Sequence, residues 1–76
     1  MEYSPSEKDK KQVENNFIYH TPKGDQDKRY EQIRSEGKSL AEFLTLVCPS
    51  SRELSLALTN LEDAVMWANA AIARNE

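Results

Sequence analysis

Residues 51–74 contain neither glycine nor proline, and their apolar side chains outnumber what one helical stripe can hold. Leu54, Leu58, Leu61, Val65, Ala68 and Ile72 recur at steps of three and four, which places them on one face of an α-helix. Leu56, Ala57, Ala64, Met66, Trp67, Ala70, Ala71 and Ala73 fall off that seam and spread the apolar surface around the circumference. One neighbouring helix covers one stripe, so a helix of this kind needs more than one neighbour. Burying Met66 and Trp67 alone is worth about 2–3 kcal/mol apiece. The alanines allow close approach of whatever packs there.

The chain offers one long partner. Asp25 is a plausible cap for a helix over residues 26–47, with Tyr30, Ile33, Leu40, Phe43, Leu44 and Val47 as its apolar positions. With Gly37 included, the series 30, 33, 37, 40, 44, 47 alternates steps of three and four, the spacing of a helix–helix seam. Gly37 itself costs about 1 kcal/mol relative to alanine in a helix. It marks a kink or a close helix crossing, or a place where a ligand or second backbone approaches. Pro49 disfavours helical geometry at Cys48 and ends this helix. Ser50, with Glu53 three residues later, has the form of a capping box opening the second helix. Two long helices joined by so short a connection predict an antiparallel hairpin, each arm about 35 Å long.

Ahead of the hairpin, residues 1–16 are polar, charged and broken by Pro5. This segment is expected to be frayed, with a short helix over residues 6–15 capped by Ser6 as the alternative. Residues 17–76 are expected to form the hairpin domain, entered through the apolar cluster Phe17-Ile18-Tyr19 and a loop shaped by Pro22 and Gly24.

Size limits the rest. A chain of 76 residues is at most one domain with a marginal core, and such chains lean on disulfides, metals or oligomerisation. Cys48 is the only cysteine and His20 the only histidine, so neither an internal disulfide nor a structural Cys/His metal site is expected. A homo-oligomer is the remaining route. The formal charge of -3 argues against a sequence-independent grip on polymeric nucleic acid. It leaves room for a small anion held by one or two placed cations. No apolar run reaches the roughly 20 residues that cross a bilayer, and the first residues lack a signal-peptide core. The protein is expected to stay where it is made and to bind no membrane. No phosphate-binding glycine loop, paired-histidine metal motif or Ser/His/Asp arrangement is present, so no catalytic residue, metal ligand or cofactor is assigned and an enzyme is not expected.

Binding residues are better represented. Tyr19 can stack on a nucleobase or simply pack over the hairpin. His20 beside it is a hydrogen-bonding group or a solvated loop residue. Arg34, one turn before Gly37, suits bidentate phosphate contact, or else pairs with Asp27 or Glu31 on the helix surface. Arg52 opens the second helix, where backbone N–H groups and a cation can hold an anion together, or where it forms a surface ion pair. Thr59 and Asn60 interrupt an apolar helix and either face solvent or line a polar pocket at an oligomer axis.

The stretches Phe17-Ile18-Tyr19-His20, Arg29-Tyr30-Glu31-Gln32-Ile33-Arg34, residues 48–62 (CPSSRELSLALTNLE) and residues 64–74 (AVMWANAAIAR) together resemble the phage hairpin domain shared by anti-CBASS and anti-Thoeris sponges. The resemblance implies an all-α homohexamer of helical hairpins, acting in the cytoplasm of the infected bacterial host, that hides cyclic nucleotide messengers without cleaving them. It implies that Tyr19 stacks on a cyclic dinucleotide base and that Arg34, ahead of Gly37, contacts its phosphates, where the family carries a lysine. It also implies a second pocket at the meeting of three subunits, with Arg52 and Thr59 contacting cyclic trinucleotides. The anti-Thoeris branch, which traps cyclic ADP-ribose isomers, tends to longer chains. Two other classes compete: a small helical adaptor gripping a host protein through Met66 and Trp67, and a cyclic oligonucleotide hydrolase.

Overall fold

The computed structural model describes residues 6–76, whose regular elements are three helices with no strand. Residues 1–5, the start of the charged segment, lie outside the described residues. Helix α1 spans Glu7–Phe17, α2 spans Gln26–Val47 and α3 spans Arg52–Asn75. The short helix held as the alternative forms: Ser6 Oγ accepts from the Asp9 amide at 3.0 Å. Ser6 is extended there, and Glu7 and Asp9 complement the positive end of the helix.

α2 and α3 pack as an antiparallel hairpin. The α3 seam of Leu54, Leu58, Leu61, Val65, Ala68 and Ile72 is the half-covered face, as its spacing predicts. The α2 seam departs from the expected series. Tyr30, Ile33, Gly37 and Leu44 lie on it, but Ala41 and Cys48 take the places assigned to Leu40 and Val47. A straight α-helix drifts about 20° per heptad against a 3.5-residue repeat, so the inward face advances by one residue after Gly37. Leu40, Phe43, Leu46 and Val47 are left exposed.

Gly37 is where the arms meet most closely. A Cβ built on it would stand 2.6 Å from Val65 Cγ2, inside van der Waals contact. The close helix crossing is therefore real, and the space a side chain would fill belongs to Val65.

The capping of α3 is a second correction. Its cap is Ser51, whose Oγ accepts from the Leu54 amide at 3.1 Å, and not Ser50. Extended Cys48 and the following Pro49 and Ser50 are used in reversing the chain, which delays the helix by one residue. Ser51→Ala should cost about 1 kcal/mol, and Ser50→Ala close to none, in paired thermal melts; equal losses would refute this assignment. At α2, Asp25 occupies the cap position but makes no capping bond. Its carboxylate turns to Arg29, one turn on, at 3.2 Å.

Among the described residues no apolar side chain is buried, and the only buried residue is Gln26, 5% exposed. The radius of gyration is 17.2 Å, against about 11 Å for a compact domain of this length. The chain exposes 6478 Å², whereas a folded monomer of 8.7 kDa exposes about 4,700 Å². No described helix is long and apolar enough to cross a membrane.

Candidate functional site

The linker between α1 and α2 carries Tyr19 and His20 back over the end of the hairpin. His20 Nε2 donates to the Asn15 carbonyl at 2.8 Å. Asn15 in turn donates through Nδ2 to the Arg74 carbonyl at 3.1 Å. These two bonds tie the end of α1 to the last turn of α3. His20 is thus fixed rather than loosely solvated.

Tyr19 is 84% exposed and Phe17 86% exposed, so the apolar cluster of the linker does not pack into the hairpin. Tyr19 lines a cavity of about 390 Å³ together with His20, Tyr30, Arg34, Asn69, Asp27 and Glu31. The Tyr19 ring is bare and does not pack over the hairpin.

Arg34 belongs to two cavities at once. On its other side lies a trough of about 480 Å³ with Gly37, Ala41, Leu58, Leu61 and Val65 as its floor and Lys38, Glu42 and Glu62 at its rim. Both volumes fall within the roughly 300–1,000 Å³ of small-molecule sites. The surface pairing considered for Arg34 does not form: among the described residues it has no ion pair, although Asp27 and Glu31 line the same cavity. Its guanidinium is the one cation of that cavity, and the ammonium of Lys38, one turn further along α2, follows it on the trough side.

Asn69 was not singled out by sequence, where it is one more polar residue in an alanine-rich stretch. Its Oδ1 is shielded from solvent with no hydrogen-bond partner among the described residues. Leaving such an acceptor unpaired costs about 1–3 kcal/mol, which a donor from outside the chain would relieve.

Arg52 and Thr59 are not brought to this cavity. Both are exposed on α3, seven residues apart and so on one face. At 1.5 Å per residue Thr59 lies about 15 Å along the axis from Asn69, and Arg52 about 25 Å. That face also carries exposed Leu56, Met66 and Trp67, with the Arg74 guanidinium 5.7 Å from the Trp67 ring centre. Among the described residues no group of three His, Cys, Asp or Glu is placed to hold a metal ion.

The molecule is thus a long α-hairpin with a bare aromatic ring and an arginine lining one cavity. The family model for the Acb2/Tad1 hairpin domain matches residues 9–73, most of the chain, and the protein belongs to that family. Neither the curated proteins nor the solved structures gave a match.

Proposed function

We propose that the protein is a phage anti-defence sponge that assembles as a homohexamer and sequesters cyclic nucleotide messengers of CBASS-type immunity in the host cytoplasm, without cleaving them. The observation that carries this reading is the convergence of Tyr19, His20 and Arg34 on one cavity, in a chain of the Acb2/Tad1 hairpin family. Tyr19 offers a stacking face to a base, and Arg34 a fork of donors to a phosphate. Gly37 serves the site indirectly, by letting α3 approach so closely that Arg34 stands over a shallow floor.

Assembly is supported by area. The protomer exposes roughly 1,700 Å² more than a compact chain of its mass, and a standard interface takes about 800 Å² from each partner. Leu40, Phe43, Val47, Leu56, Met66 and Trp67 are the apolar groups such contacts would cover. Arg52 and Thr59, exposed at the far end of α3, are proposed to meet their copies around a symmetry axis and hold a cyclic trinucleotide. Three guanidiniums there would match three phosphates.

Light scattering and calorimetry test this together. A particle of about 52 kDa, six copies, is expected. Cyclic dinucleotides or trinucleotides should bind and be recovered intact after heat denaturation. Arg52→Ala should weaken trinucleotide binding and spare dinucleotides. A monomer that binds none of them, nor any cyclic ADP-ribose isomer, would leave the exposed Trp67 face to a host-protein adaptor; linear product would mean a hydrolase.

A further inference from the structure

The only buried side chain among the described residues is polar, and its chain neighbour Asp27 lines the candidate cavity. Gln26 begins α2. Its Oε1 accepts from the Lys23 amide at 2.9 Å, and its own amide donates to the Lys23 carbonyl at 3.0 Å. This reciprocal pair closes the turn through Gly24, whose φ of 54° lies in the left-handed region. On its other side, Gln26 Nε2 stands 3.5 Å from Glu76 Oε1.

Glu76 gathers the remaining contacts. Arg29 Nη1 donates to its Oε2 at 2.9 Å and Nη2 to its Oε1, while Lys23 Nζ reaches its backbone oxygen at 3.3 Å. Arg29 Nε lies 3.2 Å from Asp25. The Arg29 hydrogen bonds hold the Glu76 carboxyl below the usual carboxylate range, and Glu76 in turn raises Arg29, so both stay ionised at neutral pH.

Residues 19–25 are therefore held at both ends by the last turn of α3. One tie runs from Arg74 through Asn15 to His20, the other from Glu76 through Gln26 and Lys23. The Tyr19 ring, 84% exposed, has little packing of its own to fix it.

We infer that Glu76 and Gln26 are positioning residues for the ligand site: the polar knot they form with Lys23 and Arg29 sets where Tyr19 and His20 stand over the cavity. This rests on the reading that the cavity takes a cyclic nucleotide. Stacking needs the ring plane at a fixed height above the base, and no apolar core exists here to supply that rigidity.

The test uses the full chain, cyclic di-AMP as the probe, and a double-mutant cycle. Glu76→Ala should weaken binding about tenfold, the loss expected of a misplaced stacking platform, with helix content by circular dichroism unchanged. Introduced into Tyr19→Ala it should cost much less, because only His20 is then left for it to position. Gln26→Ala, which cuts the knot from the opposite side, should repeat the pattern. Amide hydrogen exchange gives a readout free of ligand: residues 20–25 should exchange faster in Glu76→Ala while the middle of α3 is unchanged. Equal losses with and without Tyr19, or no loss, would overturn the inference. If the wild-type chain fails to bind cyclic di-AMP, the ligand reading fails for that probe; the exchange result then decides the knot, and unaltered exchange at residues 20–25 overturns it.

Discussion

Gly37→Leu is expected to force α2 and α3 apart and cost the hairpin about 3 kcal/mol, the upper part of the range for overpacking. Glycine is a poor helix former, and in open surroundings its replacement by alanine gains about 1 kcal/mol. Here the first added carbon already falls 2.6 Å from Val65 Cγ2. Valine cannot swing aside cheaply, because β-branching leaves it one favoured rotamer in a helix. Even Gly37→Ala should therefore lower the urea midpoint despite its better propensity. Val65→Ala in the same chain should recover most of that loss. A Gly37→Ala protein as stable as the parent would show that the crossing yields without cost. Arg34 stands one turn from the crossing and shares the trough with both residues, so Gly37→Leu should also weaken any ligand held there.

Tyr19→Ala should behave in the opposite way, losing ligand and keeping the fold. The ring is almost bare, so its removal should shift stability by no more than about 0.5 kcal/mol. Binding of a cyclic dinucleotide should fall by about 1–3 kcal/mol per stacked base. Arg34→Ala should add a loss of about 1.5–3 kcal/mol, the worth of hydrogen bonds to a charged partner. Arg34→Lys should return part of it, since charge is kept and the planar fork is not. Calorimetry on the three variants separates these effects. Unchanged affinity in Tyr19→Ala would remove it as the platform.

Much of the fold was legible because its signals are local. The absence of glycine and proline from residues 51–74, the Cys48-Pro49 stop and the Ser6 cap each act within a turn or two of chain, and each element formed where those signals lie. The errors are those of register. Leu40 and Val47 were expected on the α2 seam because a strict three-and-four count places them there, but the helix is straight enough to bring Ala41 and Cys48 inward. Ser50 was expected as a cap from its spacing to Glu53, which says nothing of the residues needed to turn the chain after Pro49.

The site was legible in part. Tyr19 and Arg34 were named from their residue types and from the family resemblance, fifteen positions apart, and they do share a cavity. Asn69, Lys38 and Gln26 were missed for a common reason: each acquires its meaning from how α3 lies against α2 or against the linker. No spacing along one helix announces that Glu76 will meet Arg29 and Gln26.

That no apolar side chain is buried among the described residues has a consequence for dose. If copies meet around Arg52 and Thr59 as proposed, a lone subunit keeps the cavity of Tyr19 and Arg34 but lacks the shared pocket. Capacity at that shared pocket alone would then rise more steeply than linearly with the amount of protein made. Timing and level of synthesis become, in effect, part of the affinity.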